Sequence, residues 1–80
     1  MDAELIQLRM KQYPKLGNFI TAGTISLKAA RTILGISKDE MYDLYLELLQ
    51  AGAIVGVGYN CFRASDTFRN WWSIYQWRTS

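Results

Sequence analysis

Residues 26–54 read SLKAARTILGISKDEMYDLYLELLQAGAI and have the pattern of two helices joined by a tight turn. Ser26 offers a side-chain oxygen to the first free amides of one helix, and Gly35 ends that helix at a position where a left-handed backbone is favoured. Ser37 and Glu40 have the S-x-x-E spacing of a capping box, so a further helix is predicted to begin directly after the turn.

The two helices are predicted over Leu27 to Leu34 and from Lys38 to about Ala51, with Gly52 as the stop. Each has apolar residues at helical spacing on the face expected to point inward. In the earlier helix these residues are Leu27, Ala30, Ile33 and Leu34. In the later helix they are Met41, Leu44, Tyr45 and Leu48.

Upstream of this pair the sequence predicts one more helix and a very short strand. Apolar residues follow helical spacing from Ala3 until Pro14, which disfavours a helical residue before it. Residues 15–23 are predicted to form a loop because glycine and asparagine interrupt them, although the phenylalanine and isoleucine within them are expected to reach the core. Residues 24–25 are β-prone and predict the strand.

Downstream of the pair the sequence changes period. Residues 53–65 carry β-branched and aromatic residues around a turn at Gly58, Tyr59 and Asn60, which predicts a β-hairpin. Ser65 and Asp66 then offer a cap for a last segment with aromatic residues at helical spacing. These residues are Phe68, Trp71, Trp72 and Tyr75. They predict a short amphipathic helix, with an aromatic-rich strand as the weaker alternative.

The order of helix, short strand, helix, tight turn, helix and hairpin resembles the winged helix-turn-helix superfamily over residues 3–64. The matching features are Ala30 in the second helix, the LGIS turn at 34–37, the apolar face of the third helix, and LLQAGAI at 48–54 leading into the hairpin. The resemblance implies a mainly α (α+β) fold with three helices and a two-stranded β wing. To this the chain adds a C-terminal aromatic helix.

The chain of 80 residues is long enough for one domain with a single small core. That core is predicted in residues 3–64, with the aromatic helix or tail at 65–80. No run approaches the roughly 20 apolar residues of a membrane span, and the first residues lack the pattern of a secretory signal. Cys61 is the only cysteine, so no internal disulfide can form. We therefore expect a cytoplasmic protein that does not bind membranes.

Catalysis is not expected from this sequence. The chain has no histidine, which is the commonest general base and zinc ligand, so Cys61 has no imidazole to activate it. The stretch GVGYNC at 56–61 lacks the third glycine of a phosphate-binding loop and does not lead from a strand into a helix. We expect no enzyme activity, cofactor, metal or small-molecule substrate.

The resemblance implies instead a surface for DNA, with the third helix in the major groove and the wing in the adjacent minor groove. Carried over by position, the groove-facing residues are Lys38, Asp39, Tyr42, Asp43 and Leu46. Other cations and amides that suit phosphates or a minor groove lie on the second helix and the hairpin. The predicted DNA-binding residues are Lys28, Arg31, Lys38, Tyr42, Tyr59, Asn60 and Arg63.

Negative charge is concentrated on the third helix. Residues 36–50 sum to −3, although the whole chain has a formal net charge of +2. Glu40 completes the capping box, and Asp39 lies in the first turn, where the helix dipole favours an anion. Asp43 and Glu47 lie on the outward face. They form either an ordinary solvated face or a patch that repels phosphates from the groove.

The third helix also carries a second apolar stripe at Tyr42, Leu46 and Leu49. Three interpretations are open: the C-terminal helix covers part of it, it binds another polypeptide chain, or it contacts thymine methyl groups. The aromatic tail is expected to close the core or to form a dimer seam, and stacking on single-stranded bases is the weaker alternative. The predicted partner or dimer interface is Leu46, Leu49, Phe68, Trp71, Trp72 and Tyr75.

We therefore predict a small winged-helix DNA-binding protein, a dimeric transcription regulator. It contacts double-stranded DNA through the second helix, the start of the third helix and the wing. The alternative is a winged-helix module for protein–protein interaction, which uses the acidic and apolar face of the third helix and does not bind DNA.

Overall fold

The predicted helix pair is present in the computed structural model, which describes residues 1–79, with only the backbone of Thr79. Five helices and three strands make up a small α+β fold. The helices are α1 (Ala3–Gln12), α2 (Leu16–Thr21), α3 (Leu27–Leu34), α4 (Lys38–Gln50) and α5 (Asp66–Thr79), and the strands are β1 (Ile25–Ser26), β2 (Ile54–Gly56) and β3 (Cys61–Ala64). The helices called second and third in the sequence are α3 and α4.

Both predicted capping serines are confirmed. The amide of Ala29 donates to Ser26 Oγ at 3.1 Å, and the amide of Glu40 donates to Ser37 Oγ at 3.1 Å. Each serine thereby satisfies one of the amides that the first helical turn leaves unpaired. The Ser37 hydroxyl also donates to the Glu40 carboxylate at 3.2 Å. Glu40 is therefore held at the start of α4 by the cap.

The turn between the two helices also has the predicted conformation. Gly35 has a left-handed backbone with φ of 68°, and its amide donates to the carbonyl of Arg31 at 2.8 Å. One prediction about the inward face of α3 is wrong, because Ile33 is 44% exposed whereas Ala30 is completely buried. The buried face of α3, which packs on α4 and the sheet, is therefore narrower than the apolar spacing predicted.

The strands form one antiparallel sheet in the order β1-β3-β2. The predicted hairpin is confirmed: β2 pairs with β3, with Gly56 opposite Phe62. Its turn needs two left-handed residues, and they are Gly58 with φ of 67° and Asn60 with φ of 56°. The predicted short strand is present one residue later, as β1 at residues 25–26, and pairs with the other side of β3.

The prediction of a loop over residues 15–23 is wrong, because Leu16–Thr21 is helical. Leu16 and Ile20, one turn apart, are both buried. Gly17 lies under an aromatic ring, and a Cβ atom placed there would be only 2.5 Å from Cη2 of Trp72. Burial against a distant part of the chain therefore outweighs the low helix propensity of glycine and asparagine.

Ser65 joins the hairpin to α5. Its hydroxyl donates to the carbonyl of Gly52 at 2.6 Å and accepts from the amide of Phe68 at 3.1 Å, while its own amide donates to the carbonyl of Ala53 at 2.9 Å. The predicted cap is thus confirmed, and it also fixes the direction in which α5 leaves the sheet. The ring of Phe68 stacks on that of Trp72 with centroids 6.1 Å apart.

One core lies between the helices and the sheet. The completely buried Phe62 of β3 and Phe68 of α5 are its largest side chains. Its other members are Ile6, Met10, Leu16, Ile20, Ala30, Met41, Leu44, Leu48, Ala51, Ala53, Ile54 and Ala64. Three of the four residues predicted for the inward face of α4 belong to it, and Tyr45 packs against it partly buried. None of the described helices has the length and apolar character needed to cross a membrane.

Candidate functional site

A surface cleft lies between the start of α3, the first turns of α4 and the hairpin turn. Its volume is about 760 Å³. The residues that line it are Ser26, Leu27, Lys28, Arg31, Lys38, Asp39, Met41, Tyr42, Asp43, Tyr59 and Asn60. The amide of Leu27 donates to the carbonyl of Asn60 at 2.8 Å, so the hairpin turn is attached to the first residue of α3.

This cleft brings together six of the seven predicted DNA-binding residues: Lys28, Arg31, Lys38, Tyr42, Tyr59 and Asn60. They come from separate segments. Lys28 and Arg31 lie one turn apart on α3, Lys38 is the first residue of α4, and Tyr59 and Asn60 belong to the hairpin turn. Tyr59 is 90% exposed. Its phenol is therefore fully available to a bound molecule.

Arg63 does not join the other predicted residues. It lies in the middle of β3, opposite Val55, and its guanidinium donates to the carbonyl of Ala64 at 3.2 Å. Its neighbours Phe62 and Ala64 are buried on one face of the sheet, and Arg63 is exposed between them on the other face. The alternation of a strand therefore directs this cation away from the cleft.

The cleft has a mixed but mainly positive lining, with cations at Lys28, Arg31 and Lys38 and carboxylates at Asp39 and Asp43. Within residues 1–79, the salt bridges of the structure include none between these groups. Their charges are thus not neutralised by close ion pairing within the described chain. Cations from α3 and α4 and carboxylates from α4 can therefore each act on a bound molecule.

Glu47, one of the two unexplained acids of α4, has a partner in α1. Arg9 donates from Nε to Glu47 Oε2 at 2.6 Å and from Nη2 to Oε1 at 3.0 Å. The hydrogen bond to Glu47 raises the pKa of Arg9 above its ordinary value, and the charge of Glu47 adds to this effect, whereas partial burial opposes it. Glu47 therefore connects two helices of the same chain.

Asp43 separates the cleft from a smaller depression. That depression has a volume of about 230 Å³ and is lined by Arg9, Gln12, Tyr13, Glu40, Asp43, Leu44 and Glu47. Although Arg9 is nearby, its side-chain hydrogen bonds go to Glu47 and Gln12. The hydrogen bonds and ion pairs found within residues 1–79 leave the Asp43 side chain without a partner.

The second apolar stripe of α4 is divided by the fold. Leu49 is partly buried and packs against the core, whereas Tyr42 is 53% exposed and Leu46 is 39% exposed. The ring of Tyr42 lies near that of Tyr45, with centroids 6.2 Å apart. Tyr42 lines the cleft, and the exposed Leu46, which does not, lies one turn further along α4.

The aromatic residues predicted as an interface are used mainly within the chain. Phe68 is completely buried, which leaves it no surface for another molecule, so its assignment to an interface is corrected. Trp71, Trp72 and Tyr75 pack against the core and remain partly buried. The apolar residues that α5 exposes are others, Ile74 at 54% and Trp77 at 80%. The stacking of α5 on α2 and the core determines which aromatic side chains stay inside.

Some residues of the site were not predicted from the sequence. Ser26 and Leu27 line the cleft because the hairpin turn meets the start of α3, and no short-range pattern signals this contact. Arg9 contacts Glu47 across 38 positions of sequence, and only their opposite charges could have indicated it.

Within residues 1–79 no group of three or more histidine, cysteine, aspartate or glutamate side chains is arranged to hold a metal ion. Comparisons with protein-family models, curated proteins and solved structures find no significant match.

Proposed function

We propose that this protein is a small winged-helix DNA-binding protein that holds double-stranded DNA at the cleft between α3, α4 and the hairpin turn. The observation that carries the proposal is the convergence of Lys28, Arg31, Lys38, Tyr59 and Asn60 on one concave surface. The order of α3, a tight turn, α4 and a hairpin supports a winged-helix arrangement, with β2 and β3 as the wing.

In this proposal α3 and the start of α4 supply the contacts to phosphates. Lys28, Arg31 and Lys38 are exposed, and salt bridges within the described residues do not occupy them. Phosphate contacts of this kind provide affinity that falls steeply with salt concentration.

The hairpin turn supplies contacts to a groove. Tyr59 projects from the turn, and Asn60 offers an amide that can donate to the acceptors on the floor of a minor groove. Arg63 is not part of the proposed contact because it lies outside the cleft. The acids of α4 keep the phosphates on the side of the lysines and the arginine, since like charges repel there.

A binding experiment with a mixed-sequence duplex tests the proposal. The affinity is measured at low and at higher salt for the parent chain and for a variant carrying Lys28→Gln and Arg31→Gln. We expect weaker binding by the variant and a smaller dependence on salt, with the logarithmic slope reduced by about 2.

The matched control carries Lys11→Gln and Lys15→Gln. It has the same net charge as the cleft variant, and both of its positions are exposed and outside the cleft. We expect this control to bind nearly as the parent does. The proposal is refuted if the folded parent fails to bind duplex at low salt, or if the two variants lose the same affinity.

A second function is favoured by the exposed Tyr42 and Leu46, which lie beside Asp43 on α4. In this alternative the fold is a protein-interaction module whose partner is another polypeptide. Asp43→Lys distinguishes the two functions without disturbing the Arg9–Glu47 pair. If α4 lies near phosphates, the affinity for duplex rises in this variant. If the surface serves only a polypeptide, neither the parent nor the variant binds duplex.

The proposed regulator is a dimer, which would present two clefts to a two-fold DNA site. Leu46 of α4 and Ile74 of α5 are two of the exposed apolar residues that such a contact could use. Sedimentation of the parent and of variants with glutamine at either position measures the association directly. A monomer at all concentrations, with duplex binding retained, would show that the dimer is not part of the function.

A further inference from the structure

Within residues 1–79, Asp43 differs from the other three acids of α4 because no hydrogen bond, ion pair or first-turn position accounts for its charge. Glu40 is held by the Ser37 cap, and Glu47 is held by Arg9. Asp39 lies in the first helical turn, where the helix dipole stabilises an anion. Asp43 lies one turn further on, where the dipole effect has largely decayed. Its carboxylate is exposed and is therefore available to a molecule bound in the cleft.

The position of Asp43 indicates which part of a bound duplex its carboxylate would meet. It lines the cleft directly after Tyr42, and Lys28 and Arg31 line the same cleft from α3. If the phosphates of a duplex lie on Lys28 and Arg31 of α3 and on Lys38 at the start of α4, the base edges are the part that would reach Asp43, further along α4. Asp43 thus faces base edges within the proposed contact.

A carboxylate can only accept hydrogen bonds at neutral pH, which restricts the bases that it tolerates. Most atoms on the major-groove edge are acceptors and would repel it. Cytosine offers the N4 amino group as a donor, and a carboxylate is a matching acceptor for it. Adenine presents its amino group beside the N7 acceptor, which suits the amides of asparagine and glutamine better.

We propose that Asp43 selects a cytosine by accepting a hydrogen bond from its N4 amino group. This inference rests on the proposed function and adds a base preference to it. The carboxylate also weakens binding to every other sequence, since an unpaired acid beside acceptor atoms is repelled. Asp43 is therefore a specificity-determining residue whose removal relaxes the choice of sequence.

Selection from a library of random duplexes tests this preference in the parent chain, in Asp43→Asn and in Glu47→Gln. The last variant removes an acid one turn away that faces α1 instead of the cleft. We expect the parent and Glu47→Gln to enrich cytosine at one fixed position of the site. Asp43→Asn should lose that enrichment by about tenfold, the effect of one base contact, while its affinity for random duplex rises.

A modified base gives a second, independent readout. The preferred cytosine is replaced by a pyrimidine that lacks the exocyclic amino group, and the affinity of each chain is measured. The parent should lose about tenfold in affinity, and Asp43→Asn should be almost unaffected by the change. Equal losses in the two chains would overturn the inference even if the selection favours cytosine.

The proposed DNA binding and the preference for cytosine can be refuted separately. If the folded parent binds no duplex, the proposed function is refuted, and the base preference is refuted with it. If the parent binds duplex without a cytosine preference, or if Asp43→Asn keeps that preference, only the role of Asp43 is refuted.

Discussion

The guanidinium of Arg9 holds the carboxylate of Glu47 through two hydrogen bonds, at 2.6 Å and 3.0 Å, and thereby joins α1 to α4. Both side chains remain partly accessible, at 25% and 39%. An ion pair so open to solvent contributes little to stability, on the order of 0.2–1 kcal/mol. Its main effect is to remove one negative charge from the outer face of α4.

A double-mutant cycle with Arg9→Met and Glu47→Gln measures this contribution. We expect a coupling free energy of about 0.5–1 kcal/mol, which decreases as salt is added because the pair is exposed. Urea denaturation of the four chains provides the values. A coupling near zero at low salt would show that the pair does not hold α1 against α4.

The pH dependence of the same pair follows from the pKa of Arg9. The hydrogen bond to Glu47 raises the pKa of the Arg9 guanidinium above its ordinary value. A raised pKa of a cation contributes stability below the unfolded pKa and loses it as pH rises through the folded pKa. Arg9 should therefore contribute equally at pH 7 and pH 10. The difference in the free energy of unfolding between the parent and Arg9→Met should therefore be the same at the two pH values.

Removal of core leucines from α4 should unfold the domain or nearly so. Leu44 and Leu48 are buried, and replacing either by alanine costs roughly 2–5 kcal/mol, against total stabilities of about 5–15 kcal/mol for ordinary domains. Leu46→Ala is the control, because this leucine is 39% exposed on the same helix and should cost much less. Thermal melting of the three variants measures the difference. Parent-like melting of Leu48→Ala would contradict the described core.

Gly17→Ala provides a test of α2 in which two effects oppose each other. Alanine favours a helix over glycine by about 1 kcal/mol. The added methyl group would however lie 2.5 Å from the Trp72 ring, and overpacking costs about 1–3 kcal/mol. We expect net destabilisation and a change in tryptophan fluorescence. Asn18→Ala, at an exposed position of the same helix, should raise stability slightly, and a gain from Gly17→Ala would contradict the contact.

Ser65→Ala should destabilise the junction between the hairpin and α5. The hydroxyl both accepts from the amide of Phe68 and donates to the carbonyl of Gly52, so its loss leaves two groups unpaired. Loss of a helix cap alone costs about 0.5–2 kcal/mol, and we expect the upper part of that range. Ser73→Ala, at an exposed position within α5, is the control and should have almost no effect. Chemical denaturation compares the two variants.

The parts of the fold that depend on local chemistry were predictable. Ser26 and Ser37 cap α3 and α4 because each has an oxygen in reach of amides only three residues later. Gly58 and Asn60 form the hairpin turn because both tolerate a left-handed backbone. Such signals are complete within a few residues of sequence. They need no knowledge of what lies elsewhere in the fold.

The parts that depend on distant contacts were not predictable. The helix at 16–21 forms although its glycine and asparagine are poor helix formers, because Leu16 and Ile20 are buried and Trp72 covers Gly17. Ile33 is exposed because neighbouring elements, not apolar spacing, determine which face of α3 is covered. Arg9 finds Glu47 only after α1 has packed near α4.

The residues of the candidate site were also predictable only in part. The resemblance to winged-helix proteins indicated Lys28, Arg31 and Lys38 one by one, and the structure places them at one cleft. The resemblance did not indicate that side chains alternate along β3 in a way that places Arg63 on the face of the sheet outside the cleft. For the aromatic tail the sequence left core closure and dimerisation open, and Phe68 is now assigned to the core.

The hydrogen bond from the amide of Leu27 to the carbonyl of Asn60, at 2.8 Å, ties the hairpin turn to the first residue of α3. This bond restricts the movement of the hairpin turn relative to α3 and so limits how much the spacing between the α3 cations and Tyr59 can vary. Such a receptor loses little conformational entropy when it binds. The same bond opposes widening of the cleft, because separating the hairpin turn from α3 would break this backbone contact.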